Sequence, residues 1–135
     1  MLIDSHCHLN YPDFEDELPQ VISRAEEAGI ELMVTICTQL EEFPEILSIT
    51  EKNDRIFCSV GVHPHNADNS EEVTLKNLLM LSKHKSVVGF GETGLDYHYN
   101  HSSRIAQERS FRTHIEASRD SGLPVIVHSR SADDE

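Results

Sequence analysis

Apolar residues fall into two alternating patterns along the chain. Five short runs, Met1–Asp4, Leu32–Ile36, Ile56–Val60, Val87–Gly91 and Pro124–Val127, are nearly continuous and rich in Val and Ile. Such runs predict strands buried on both faces. Between them the apolar spacing lengthens to three and four residues. Leu18, Val21, Ile22, Ala25 and Ala28 mark a first helix, with Pro19 suited to its first turn and Gly29 to its stop. A second helix is predicted from about Glu42, with Pro44 in its first turn. A third places Leu75, Leu78, Leu79 and Ser82 on one face after an Asn69-Ser70-Glu71-Glu72 start, where a Ser cap and early acids suit the helix dipole. The fourth runs from about Arg104 to Ser121, with Phe111 and Ile115 on its buried face and Gly122 after its end.

Strand, helix, strand, repeated to a fifth strand, predicts an α/β fold with parallel crossovers. In such folds chemistry collects just after the strands. That is where Ser5–His8, His63–His65, Glu92–Asp96 and His128–Arg130 stand.

Composition narrows the possible functions. Eleven Lys and Arg against 24 Asp and Glu give a net charge of −13, which excludes a generally basic nucleic-acid surface. No apolar run approaches the ~18 residues a membrane span needs. Six Gly, five Pro and three Cys exclude collagen and a disulfide scaffold. The first eight residues carry neither a basic region nor an apolar stretch of leader length, so a cytoplasmic location is expected. Cys7, Cys37 and Cys58 form no Cys-x-x-Cys pair and suit a reduced state.

Nine histidines are the anomaly, since imidazole binds metals and moves protons near neutral pH. His6 and His8 alternate along a strand and can chelate one ion together. Such a pair alone is a weak signal. Glu92 after the fourth strand and His128 after the fifth make a metal site the better reading. Cys7, between the two histidines, points to the opposite side and reads as a small buried filler. His84, His98, His101 and His114 read as surface or helix residues without function. The acidic run Asp13–Glu17 reads as a solvated face beside a helix start.

Four ordered motifs, Asp4-Ser5-His6-Cys7-His8-Leu9, Gly61-Val62-His63-Pro64-His65, Gly91-Glu92-Thr93-Gly94-Leu95-Asp96-Tyr97 and Pro124-Val125-Ile126-Val127-His128-Ser129-Arg130, resemble the TatD-related DNase family of metal-dependent hydrolases. The resemblance implies a TIM (β/α)8 barrel, of which residues 1–135 supply the first five strands and four helices of a single domain truncated after the fifth strand. A complete barrel needs ~250 residues. It further implies that His6 and His8 hold one divalent ion, that Glu92 bridges two ions and is catalytic, and that His128 belongs to the second. In the family, a His after the sixth strand and an Asp after the eighth complete the sites, and neither falls within these residues.

The implied reaction is two-metal hydrolysis of a phosphodiester, as a 3′–5′ exonuclease with DNA as substrate. A carboxylate can span ions ~3.5 to 4 Å apart where an imidazole cannot, and hard oxygen favours Mg²⁺ or Mn²⁺, with Zn²⁺ also accepted. His63 and Arg130 are candidates for substrate phosphate, against a turn role before Pro64 for the first and a salt bridge to Asp96 for the second. His65 is assigned no firm role. Asp96 either orients a ligand histidine or caps a turn. Competing readings are an amide or lactone hydrolase, disfavoured because Lys83 and Lys85 precede the strand that ends at Glu92, and an inactive truncated gene product with residual metal binding. The chain alone is expected to be nearly inactive and to self-associate through exposed strand edges.

Overall fold

The computed structural model describes residues 1–69 and 73–132. Its core is one five-stranded sheet in the order β1 (Leu2–Cys7), β2 (Ile30–Thr35), β3 (Ile56–Val60), β4 (Val87–Asp96) and β5 (Val125–Arg130). Every neighbouring pair is parallel. The helices α1 (Leu18–Glu27), α2 (Phe43–Glu51), α3 (Leu75–Leu81) and α4 (Arg104–Ser121) connect consecutive strands, with 3₁₀ turns at Pro12–Phe14, Leu40–Glu42 and Pro64–Asn69. These are the parallel α/β crossovers that the alternation of patterns predicts, and they form part of the TIM barrel that the resemblance implies. Among the described residues no helix is long and apolar enough to cross a membrane.

Local chemistry sets most element boundaries where the sequence places them. Pro19 and Pro44 occupy first turns of α1 and α2. Ser103 caps α4 by accepting the Ala106 N–H, and Gly122 ends it at φ +80°. The Ser70-Glu71-Glu72 start expected for α3 lies outside the described residues. The helix itself begins at Leu75, where Thr74 Oγ1 accepts the Asn77 N–H at 3.2 Å.

Four expectations change. β1, β4 and β5 run on through Cys7, Asp96 and Arg130, so most site residues stand on the strand ends rather than after them. β1 and β5 are not buried on both faces: as the two edges of the sheet they leave Leu2, Ile3 and Val127 exposed. The buried stripe of α4 is Ala106, Gln107, Ser110, His114 and Ala117, not Phe111 and Ile115. Small residues there bring the helix close to the sheet, and Ile115 is left 39% exposed beside half-buried Phe111. His114, expected as a surface or helix residue without function, lies on α4 and is completely buried.

The main core lies between the sheet and α2 to α4, built on Phe43, Ile46, Cys58, Val60, Leu78, Phe90 and Ala117. A second cluster of Leu9, Met33, Ile49 and Ile56 receives one face of α1. Beyond these layers, buried polar groups tie the strand ends together. Thr35 Oγ1 accepts the Leu9 N–H, Ser59 Oγ accepts the Cys37 N–H, and the Glu92 N–H donates to the Cys37 carbonyl at 2.9 Å. A Cβ at Gly61 would fall 2.6 Å from the Gly91 nitrogen and 2.9 Å from His114 Nε2, so only glycine lets these backbones meet.

His114 fixes that junction. Its Nδ1–H donates to the Ser110 carbonyl at 2.7 Å and its Nε2 accepts the Val62 N–H at 3.1 Å, which requires a neutral ring. Burial pushes its pKa down to about 4, against the partial support of the Ser110 carbonyl. The unfolded chain, titrating near the ordinary value of about 6.5, then binds more protons than the folded one between the two values, so stability rises with pH across that window. Acidification from pH 7 to 4 should cost roughly 3 kcal/mol through His114. Urea unfolding across this range should show that slope reduced in H114Q; an identical slope in the variant would refute the assignment.

Candidate metal centre

Because all strands run the same way, their carboxyl ends open on one side. There a cavity of about 630 Å³ is lined by His6 and His8, by His63, His65 and Asn66, by Glu92 and His128, and by Tyr11, Pro12, Thr38, Gln39 and Glu42. Five of the residues singled out in the sequence thus share one wall: His6, His8, His63, Glu92 and His128. Cys7 does not line the cavity; its Sγ lies 3.4 Å from the Val34 carbonyl.

Glu92 stands between two groups of histidines. Its Oε2 is 3.3 Å from His6 Nε2, and its Oε1 is 3.1 Å from His128 Nδ1. His6, His8 and Glu92 can each offer a ligand atom within 4.8 Å of the others, and so can His63, Glu92 and His128. Two imidazoles with a shared carboxylate are a suitable donor set for a divalent cation.

Hydrogen bonds decide which nitrogen of each ring is available. His8 donates its Nδ1–H to the Ile36 carbonyl at 3.2 Å, leaving Nε2 with a free lone pair. His128 gives its Nε2–H to Asp96 Oδ2 at 3.0 Å, leaving Nδ1 toward Glu92. His63 differs. Its Nδ1 accepts the His65 N–H at 3.2 Å, so its proton sits on Nε2, 3.2 Å from His128 Nδ1. Distance alone would admit His63 as a ligand, but this tautomer puts a proton rather than a lone pair on Nε2. Burial pushes its pKa down to about 4; Glu92 and Asp96 oppose the shift and His128 and His65 add to it, so the ring is neutral at pH 7.

Asp96 is 1% exposed and accepts from every side. Its Oδ2 receives His65 Nε2–H at 2.8 Å and His128 Nε2–H at 3.0 Å, while Oδ1 receives the His98 and Tyr99 amides. Burial opposes ionisation here, but the hydrogen bonds from His65, Tyr99, His128 and His98 prevail and hold the carboxyl well below the usual carboxylate range. Orienting a histidine and capping a turn, posed as alternatives in the sequence, are both performed by this side chain. Arg130 is not its salt-bridge partner. The guanidinium lies 4.6 Å from the Tyr99 ring centre and does not line the cavity.

Sequence reasoning missed several participants. Gln107 on α4 accepts the Asp96 N–H at 2.7 Å and returns its amide to the Asp96 carbonyl at 3.1 Å. Nothing in the α4 pattern distinguishes it from a surface residue. Tyr11, Thr38, Gln39, Glu42 and Asn66 line the cavity from turns whose conformation no periodicity signals.

Comparison with known proteins agrees with this fold. The family model described as TatD related DNase matches residues 3–135. An uncharacterized metal-dependent hydrolase of Bacillus subtilis, YabD, is 34% identical over 135 residues, covering 100% of this chain and 53% of its own. A protein of Enterobacter lignolyticus named 3′-5′ ssDNA/RNA exonuclease TatD is 31% identical, covering 97% and 50%. The crystal structure of YJJV, a TatD homolog from Escherichia coli, superposes with a TM-score of 0.90 at 28% identity, over 98% of this chain and 52% of that one. The chain spans about half the length of these relatives. On the strength of the family match and the shared fold, the chain belongs to the TatD-related DNase family of metal-dependent hydrolases.

Proposed function

We propose that the chain is the part of a 3′–5′ exonuclease that holds its divalent metals, and that the whole protein acts on DNA. The observation that carries this reading is Glu92, whose two oxygens face separate histidine groups 3.3 and 3.1 Å away. His6 and His8 with Glu92 would hold one ion, and Glu92 with His128 would hold a second. Mg²⁺ or Mn²⁺ suits the bridging carboxylate, and Zn²⁺ suits the imidazoles. When bound, two such ions activate water for in-line attack on phosphorus and neutralise the charge that develops. Asp96 fixes the His128 tautomer, His63 Nε2–H donates to a non-bridging phosphate oxygen, and Arg130 meets a phosphate farther along the strand. The three cysteines are free, as a reducing, cytoplasmic setting would leave them.

Mn²⁺ titration followed by calorimetry tests the ligand set directly. E92A should abolish binding to both ions, whereas D96N should weaken it about 10- to 100-fold by freeing the His128 ring. Mn²⁺ affinity unaltered by E92A would remove the bridging role. The whole protein with Mn²⁺ should shorten a 5′-labelled single-stranded oligonucleotide from its 3′ end, and its E92A form should not. Cleavage of lactones with no action on oligonucleotides would overturn the nuclease reading. Self-association belongs to the same proposal, supported by the exposed apolar residues on β1 and β5. Light scattering from the purified chain should report species larger than a monomer; a monodisperse monomer would count against it.

A further inference from the structure

The cavity has two chemically distinct ends. One holds the histidines and Glu92. The other is formed by Tyr11, Thr38, Gln39, Glu42 and Asn66, none of which the metal reading uses. Glu42 organises this second end. Its Oε2 accepts from Thr38 Oγ1–H at 2.9 Å and from Asn10 Nδ2–H at 3.5 Å, and its Oε1 accepts from Gln39 Nε2–H at 3.2 Å. Asn66 spends its amide hydrogen on the Thr38 carbonyl at 3.3 Å.

Each of these amides keeps a second N–H, whereas the ionised Glu42 carboxylate offers acceptors only. Gln39 Oε1 and Asn66 Oδ1 meet no donor among the described residues, and Asn10 Oδ1 is buried without a partner beside them. The Glu42 carboxylate, with the open Gln39 and Asn66 amide oxygens on the same lining, disfavours phosphate and suits a neutral group bearing N–H. Tyr11 adds a planar surface. Its ring lies 4.6 Å from that of His8 at 17°, and the residue is 38% exposed at the cavity wall. The whole cavity falls within the ~300–1,000 Å³ of sites that take small organic groups.

We propose that the Tyr11–Gln39–Glu42 wall is a nucleobase subsite: Tyr11 stacks on the terminal base, and Gln39 Oε1 with Glu42 accepts from its exocyclic amino group. The inference rests on the nuclease reading and deepens it, since phosphate then lies toward His63 and His128 and the base toward Tyr11. It makes a base offering an amino group, such as cytosine or adenine, preferred over thymine. Tyr11, Gln39 and Glu42 thus select the end of the strand and do not touch the reacting atoms.

Binding separates this proposal from its foundation. dCMP, dTMP and 2-deoxyribose 5-phosphate are titrated into the Mn²⁺-loaded protein and followed by NMR. dCMP should bind about tenfold or more tightly than the abasic sugar phosphate, since stacking on an aromatic ring is worth that much per base, and several-fold more tightly than dTMP. Y11F should keep the advantage over the sugar phosphate and Y11L should lose it. Q39A should erase the preference for dCMP over dTMP. Equal affinity for all three probes, or Y11L and Q39A indistinguishable from the native protein, would overturn the base subsite while leaving the nuclease reading intact. Binding of none of the three, with Mn²⁺ still held through Glu92, would overturn both.

Discussion

The buried carboxylate of Asp96 is the constraint around which the site is ordered. At 1% exposure an ionised group is tolerable only if its oxygens are fully engaged, and four donors engage them. Two of those donors are histidine rings and two are the next backbone amides of the same chain. The carboxylate therefore sets the tautomers of His65 and His128 and, in the same act, turns the chain out of β4. Gln107 then clamps the peptide of Asp96 from the α4 side. Loss of any one donor leaves charge without compensation in a low-dielectric setting, which is why such networks hold their geometry so narrowly.

Parallel strands make that arrangement possible by bringing residues far apart in sequence to one end of the sheet. His128 is 32 residues from Asp96 and 36 from Glu92, yet it contacts both. The register between β4 and β5 pairs Gly94 with His128 and Asp96 with Arg130. Between β3 and α4, the fit depends on missing side chains as much as on present ones. Gly61 leaves room for the Gly91 backbone and for His114, so the peptide next to Glu92 packs directly against the strand that leads to His63.

Much of this was legible in the sequence because it depends on local chemistry. Proline at the starts of α1 and α2, Gly122 at the end of α4, and the apolar runs of β3 and β4 follow from propensity and burial. His6, His8, Glu92 and His128 were legible through their positions at strand ends. What escaped depends on tertiary packing. Periodicity shows that α4 has an apolar stripe, but not that small residues beside His114 form the closer contact, leaving Phe111 and Ile115 outside it. Continuous apolar character likewise cannot distinguish an edge strand from a central one, so β1 and β5 read as fully buried. The turns that carry Tyr11, Gln39 and Asn66 have no period, and their convergence is set by the strands beneath them.

The acidic balance of the chain, awkward for a protein proposed to meet DNA, becomes coherent when metal and substrate are considered in sequence. At physiological ionic strength, charges more than about 8 Å away are largely screened, so the net charge of −13 matters less than what lines the cavity. There Glu42 and Glu92 provide negative charge, and the neutral His63 provides none to offset it. Such a potential draws divalent cations and repels phosphate until those cations are in place. In the proposed two-metal reading, sharing Glu92 between two cations would reverse the charge beside it while Glu42 stays negative. In that reading phosphate would be admitted beside the metals, and the uncharged part of the nucleotide would settle against Glu42.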